Sequence, residues 1–200
     1  MIDKTIPYFN VIMRYDGPVV NEIPNAPHGY RYRNYLPGDE YAWARMEVQN
    51  NDFDTYDNAV NYFKTKYCTH PEKLIERFVG VENDAGKLCG AVICWDDDKE
   101  DNKVSSVHWL ITDPAEQGKG IGKALVEMLL YKFSLLESLP VYLHTQPWSY
   151  IAIAIYSKLG FKLLANDSFR EYQNQSIQAL PVLQGLLKCE QFEKIKEEMI

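Results

Sequence analysis

Residues 111–130 read ITDPAEQGKGIGKALVEMLL, and three of the five residues from 118 to 122 are glycine. Upstream, SVHWLIT (106–112) has strand character. Asp113 and Pro114 make a turn, and downstream Leu125, Val126, Leu129, Phe133 and Leu136 recur at helical spacing. The glycines therefore stand where a strand hands over to a helix N-terminus. That end carries unpaired N–H groups and the positive pole of the helix dipole, and glycine has no Cβ to hold an anion at a distance. Lys119 and Lys123 add positive charge. Bare backbone in this place suits a ligand that carries phosphate.

Spacing narrows the ligand. A Walker loop needs Gly-Lys followed by Ser or Thr, but Lys119 is followed by Gly120 and Lys123 by Ala124. A dinucleotide fingerprint begun at Gly120 would place its third glycine at Leu125, and no acidic residue ends the next strand.

Working outward, VYLHTQ (141–146) reads as a strand, SYIAIAIYSKL (149–159) as a helix and GFKLLA (160–165) as the start of another strand. Upstream, RFVGVE and KLCGAVICW are β-rich runs joined by NDAG, which is hairpin chemistry. WDDDKEDNK (95–103) lacks the glycine and terminal glutamate of a calcium loop and reads as a solvated hairpin tip. YRYRNY (30–35) is an edge strand, LPGDE a turn with Asp39 as cap, and EYAWARMEVQ, AVNYFKTKY and HPEKLIER are helical, the last with Pro71 in its first turn. Residues 1–29 read as an extension wrapped on the body, with YFNVIMRY as a short strand. The C-terminal LPVLQGLLKCEQFEKIKEEMI reads as a packing helix and a charged turn. Alternating strands and helices make this an α/β chain with a mixed sheet.

At 200 residues, 46% hydrophobic and 24% charged, the chain fits one globular domain. A net charge of -7 and a pI near 5.1 argue against nucleic acid as a partner. The first residues carry Asp3, Lys4, Arg14 and Asp16 where a signal peptide is apolar, and no uncharged run reaches the ~18 residues of a membrane span. A cytoplasmic protein with no membrane partner is expected. The four cysteines, Cys68, Cys89, Cys94 and Cys189, have neither C-x-x-C nor zinc spacing and read as free thiols, with no metal site.

The pattern Gln117-Gly118-Lys119-Gly120-Ile121-Gly122 after a strand resembles the acetyl-CoA pyrophosphate loop of the GNAT superfamily of N-acetyltransferases. SYIAIAIYSKLGFKLL looks like that superfamily's next signature, and YRYRNYLPGDEYAWARM like its first strand and helix. The likeness covers about residues 30–165, leaving 166–200 to complete the sheet and add a packing helix. It implies a central mixed, mostly antiparallel sheet with helices on both faces, whose fourth and fifth strands splay apart, here SVHWLIT and VYLHTQ. An exposed fifth strand would give a homodimer an edge to pair.

The resemblance further implies acetyl-CoA as co-substrate and a small-molecule or peptide amine as acceptor. Leu110, Ile111 and Thr112 would offer main-chain groups to the pantetheine arm and acetyl carbonyl, while Gln117 through Lys123 would hold the diphosphate. Tyr156, four residues before Gly160, would be the acid that protonates the departing thiolate; otherwise it is a tyrosine packed between helix and sheet. Ser149 stands where relatives often carry a pantetheine-binding Asn. In some relatives a glutamate on the fourth strand takes the amine's proton. That place falls near Ser106, which cannot, and His108 or His144 would serve instead unless both are rim or core histidines. His108 shares strand parity with Leu110 and Thr112. The acidic, aromatic NNDFDTYDNAVNYF (50–63) hints at a cationic acceptor. A non-catalytic CoA-holding module on the same scaffold is the competing expectation.

Overall fold

The computed structural model describes residues 3–99 and 102–200. In chain order the elements are β1 (Val11–Tyr15), β2 (Tyr30–Arg33), α1 (Asp39–Gln49), α2 (Tyr56–Phe63), a π-helical turn (Lys64–Cys68), α3 (Pro71–Arg77), β3 (Phe78–Asn83), β4 (Leu88–Lys99) and β5 (Asn102–Thr112). There follow α4 (Ile121–Leu135), β6 (Val141–Thr145), α5 (Tyr150–Lys158), β7 (Lys162–Leu163), α6 (Ser176–Leu186) and α7 (Cys189–Glu197). The strands form one sheet in the order β2-β3-β4-β5-β6-β1-β7. The pairings β2–β3, β3–β4, β1–β6 and β1–β7 are antiparallel and β5–β6 is parallel, so the expected mixed, mostly antiparallel sheet is present.

Two compact units are distinguished along the chain. One comprises residues 22–94 and 108–132, the other 3–21, 95–107 and 133–200. In the first, the Asn83–Lys87 turn closes the β3–β4 hairpin with Gly86 at φ 75. Helix α2 starts at Thr55, whose hydroxyl accepts the Asn58 N–H, and buries Ala59, Val60 and Phe63. Gly38, at φ 107, holds the cap position of α1 expected for Asp39. Asp39 is instead the first helical residue, and its carboxylate accepts the Leu36 N–H and the Arg33 guanidinium. Helix α4 buries Ile121, Leu125, Leu129 and Phe133. It lies so close to β4 that a Cβ on Gly90 would stand 2.9 Å from the Ile121 side chain and from the Ile111 carbonyl.

The second unit corrects the expectation for both termini. The N-terminal residues do not merely wrap the body: β1 lies inside the sheet, paired with β6 along Val11–Tyr15 and with β7 at Met13 and Arg14. Val11, Ile12 and Met13 are fully buried. Asn10 and Ile12 are tied to the start of α6 by Gln175 N–H to the Asn10 carbonyl (2.8 Å) and Ile12 N–H to Ser176 Oγ (3.1 Å). The C-terminal residues expected to complete the sheet form α6 and α7 instead, with an isolated Phe169–Tyr172 bridge. Because β1 covers all five residues of β6, the exposed edge expected for subunit pairing is taken up within the chain.

The acidic run after Trp95 is also different from a solvated tip. β4 continues through it to Lys99, and Asp97 is buried, accepting a 2.8 Å hydrogen bond from Ser106 Oγ and lying 3.7 Å from Arg170 Nε. Residues 100 and 101 of that run lie outside the described residues. Among the described residues no helix is long and apolar enough to cross a membrane, and no group of His, Cys, Asp and Glu is placed to hold a metal.

Candidate active site

β5 and β6 are joined by a short parallel ladder, Ser105 to Val141 and Ser106 to Tyr142. β5 then runs on to Thr112 and β6 to Thr145. Just beyond the ladder, Trp109 takes φ 50, a left-handed conformation that costs an L-residue roughly 1–2 kcal/mol. It breaks the alternation of the strand. His108 and Trp109, though consecutive, both reach α2 and its π-helical continuation: Trp109 Nε1 donates to Tyr62 Oη at 3.1 Å, and His108 Nδ1 meets Tyr67 Oη at 2.7 Å. The expected shared parity of His108 with Leu110 and Thr112 therefore does not hold. A bulge of this kind re-aims side chains and marks functional strands.

Past Leu110, Ile111 and Thr112, the Asp113 N–H bonds the Cys89 carbonyl at 2.8 Å. The Asp113 carboxylate accepts from the Ala115 N–H (2.9 Å) and pairs with Lys87 (2.7 Å). Burial pushes that carboxyl up, but Lys87 and the amide outweigh it and hold it below its usual range. The chain thus leaves β5 through a fixed turn, Pro114–Glu116.

Gly118 and Gly120 follow at φ 80 and 84. A Cβ on Gly118 would meet nothing within 4 Å, and one on Gly120 only Pro27 at 3.9 Å. Backbone conformation, more than lack of room, requires glycine at both. The Ala124 N–H to Gly120 carbonyl bond (3.1 Å) opens the helix, so the amides of Ile121, Gly122 and Lys123 precede it. The loop has the geometry of an anion cradle. The lysines contribute less than their sequence positions suggest, since Lys119 is paired with Glu116 and Lys123 with Glu127. Glu116 also accepts from Tyr30 Oη at 2.7 Å. Lys119, followed by Tyr30, holds its carboxyl below the usual range.

The other expected residues lie in the second unit. Tyr156 is 5% exposed, and burial raises its phenol well above the ordinary range. Its interval to Gly160 has a structural cause. The Phe161 N–H bonds the Tyr156 carbonyl (3.0 Å) and the Gly160 N–H the Ser157 carbonyl (3.1 Å), with Gly160 at φ 97 and the Phe161 ring 5.6 Å from that of Tyr156. This is a Schellman helix end with its usual apolar contact. Ser149 ends the Pro147–Ser149 turn and accepts from Gln146 Nε2 at 3.0 Å, while Trp148 packs on Tyr8.

His144 is stacked on Tyr172, ring centroids 3.6 Å apart, with Nε2 2.8 Å from Asn10 Oδ1. Burial, helped by the nearby Arg170, lowers its pKa to about 4. The unfolded chain takes up this proton near pH 6.5 and the folded protein only near 4, so acid favours unfolding through that window. Stability is expected to fall by on the order of 3 kcal/mol between pH 7 and 4 through this group. Chemical denaturation of the wild type and His144→Gln at pH 7, 5 and 4 checks this; equal pH slopes would refute it.

Sequence reasoning missed Tyr67 and Asp97. Tyr67 sits in an unremarkable helical run, and Asp97 was hidden in an acidic tract, where charge count speaks for solvent. Phe53 and Tyr62, from the stretch read as a cationic-acceptor hint, pack with Trp43 and Trp109, all ring centroids 5.3–6.3 Å apart.

A family model described as "Acetyltransferase (GNAT) family" matches residues 39–161. That span holds the bulged strand, the glycine loop and the Schellman end, and the architecture is that of an acyltransferase fold. The chain belongs to the GNAT acetyltransferase family. It is similar to a GCN5-related N-acetyltransferase from Sphaerobacter thermophilus, at 17% identity over 78% of this chain and 48% of that one, with a TM-score of 0.57. It is also similar to a GNAT-family acetyltransferase from Colwellia psychrerythraea, at 16% identity over 78% of this chain and 53% of that one, TM-score 0.59. A predicted acetyltransferase solved with acetyl-CoA, from Clostridium acetobutylicum, matches at 14% identity over 72% of this chain and 96% of that one, TM-score 0.54. The chain thus spans about half the length of the first two. No curated protein matches it.

Proposed function

We propose that the protein moves an acetyl group from acetyl-CoA to a primary amine of a small molecule or peptide, by direct transfer with both substrates bound. The observation that carries this reading is the loop at 117–122. Two glycines at positive φ turn the chain out of β5 and present the amides of Ile121, Gly122 and Lys123 ahead of the first helical bond of α4. Such amides bond a diphosphate without charged side chains, which is consistent with Lys119 and Lys123 being engaged by glutamates. Leu110, Ile111 and Thr112 would supply main-chain groups to the pantetheine arm, and an N–H aimed at the acetyl oxygen would stabilise the charge that develops as the amine attacks. The Ser149 hydroxyl would add a bond to the same arm.

In the transfer the amine nitrogen bonds the acetyl carbon and the carbon–sulfur bond breaks. The sulfur leaves as a thiolate, whose conjugate acid has a pKa of about 8.5 in water. Tyr156, kept protonated by its burial, is assigned to give it a proton. The nitrogen's proton must also be taken up. His144 is stacked on Tyr172 with Nε2 engaged by Asn10, and burial lowers its pKa to about 4. His108, on the strand that carries Leu110, Ile111 and Thr112, is assigned instead.

Tyr156→Phe tests the reading. Turnover is expected to fall by roughly a hundredfold, the low end of a general acid's contribution, with coenzyme A affinity retained. Thiol release from acetyl-CoA over a panel of amines measures the first and calorimetry the second. An unchanged rate across pH would remove Tyr156 from the chemistry. Tight binding by the wild type with no release on any amine would mark a CoA-holding module instead.

A further inference from the structure

Beside α1 and the β3–β4 turn lies a cavity of about 340 Å³, within the size range of small-molecule sites; none of residues 117–122 lines it. Ala42, Arg45, Met46 and Gln49, three and four apart on one face of α1, form part of its wall. Both carboxylates that line it are already engaged. Asp39 accepts from Arg33 through its two oxygens, at 2.5 and 2.7 Å, and from the Leu36 N–H. Asp113 accepts from Lys87 at 2.7 Å and from the Ala115 N–H at 2.9 Å. Glu82, at 2.6 Å, completes Arg33 and is shared with Arg31. Arg45 and Gln49, by contrast, are exposed and have no partner among the described residues. Lys87 keeps two N–H bonds beyond the one on Asp113. Apart from the Gln49 carbonyl, the polar groups left for a ligand are therefore donors. With Arg31 and Glu82 included, four cations stand against three carboxylates, a surplus of one positive charge.

We propose that this cavity binds a small monocarboxylate with a short hydrocarbon body, its carboxylate held by Arg45 with Lys87 and Gln49. One uncompensated cation balances one negative charge. The planar guanidinium offers paired donors that match the two oxygens of a carboxylate, and an ammonium and a carboxamide supply further N–H bonds. The hydrocarbon has its own surface in Ala42, Met46 and Leu88, the last two 3% and 5% exposed. A phosphate dianion would exceed the charge surplus and leave that apolar wall uncovered. None of these residues has a part in the acetyl transfer proposed above. Lys87 nevertheless places the two sites side by side, since the ammonium that meets the carboxylate also holds Asp113, where the chain leaves β5 for the glycine turn.

Nitrogen-15 NMR titration of the full chain with butyrate, at constant ionic strength and neutral pH, tests this. The Arg45 Nε–H signal is assigned by its loss in Arg45→Gln. Saturable shifts of that signal and of the Gln49 side-chain amide are expected, while butyramide, the uncharged counterpart, moves neither. Arg45→Gln and Gln49→Glu alter exposed side chains and are expected to keep the wild-type spectrum away from the cavity. Each is expected to weaken butyrate by roughly tenfold or more, the loss of a hydrogen bond to a charged group. Saturating coenzyme A is expected to leave butyrate bound. Four results would each overturn the proposal: no saturable shift, equal binding of butyramide, tighter binding of inorganic phosphate, or wild-type affinity in Arg45→Gln. Displacement of butyrate by coenzyme A would overturn it too, by making the cavity part of the cofactor's own site.

Discussion

A variant lacking residues 1–16 is expected to be recovered as aggregate rather than as folded protein. The deletion removes β1 from between β6 and β7, taking out Val11, Ile12, Met13 and Tyr15, all at most 2% exposed. Full burial of such side chains stabilises by about 1.5–3 kcal/mol each, so the four contribute about 6–12 kcal/mol. That is comparable with the whole stability of an ordinary domain, about 5–15 kcal/mol. The loss also bares the edges of β6 and β7, and an exposed apolar edge templates pairing with other chains. The Ile12 contacts to Leu164 and Ser176 go with it, so the start of α6 loses its anchor. Met13→Asp makes the same point without truncation, by placing a carboxylate in an interior strand. Solubility and a thermal melt measure both variants. A cooperative transition at the full-length temperature in the truncated chain would show that the sheet does not depend on β1.

Gly120→Glu is expected to weaken coenzyme A binding by at least a hundredfold while leaving the fold intact. Two effects add. Gly120 sits at φ 84, where any other L-residue pays roughly 1–2 kcal/mol, about a tenfold change by itself. The open space around its Cβ position admits the new side chain without a clash, so the carboxylate stays near the amides of Ile121 and Gly122 and opposes a diphosphate there. At an effective dielectric near 20, like charges about 4 Å apart cost about 4 kcal/mol. Gly120→Ala separates the terms, since it carries only the conformational one. Calorimetric titration of coenzyme A into the wild type and both variants gives the three affinities. Equal affinity for wild type and Gly120→Glu would take the phosphate site away from this loop and leave the proposed function without its support.

The family motifs were legible because they are local. A glycine at positive φ, a helix start and a helix end are decided by residues within five or six positions, so QGKGIG and SKLGF announce their geometry in the text. The same locality sets a limit. The interval from Tyr156 to Gly160 follows from how a Schellman end is built, with Phe161 packed back on Tyr156, and so by itself it says nothing about proton transfer. A tyrosine there serves the helix end and can serve the chemistry as well.

What the chain alone determined was the order of strands and helices from β2 to β7, the hairpin at NDAG and the glycine turn that leads from β5 into α4, all fixed by neighbours in sequence. Tertiary structure alone decided where VIMRY would pair, which carboxylate of the acidic run would be buried against Ser106, and that His108 would turn with Trp109 toward α2. Each of these depends on partners far away in the chain. A five-residue apolar strand fits any vacant lane between strands, and a one-residue bulge reverses which face a side chain takes; no local rule records either.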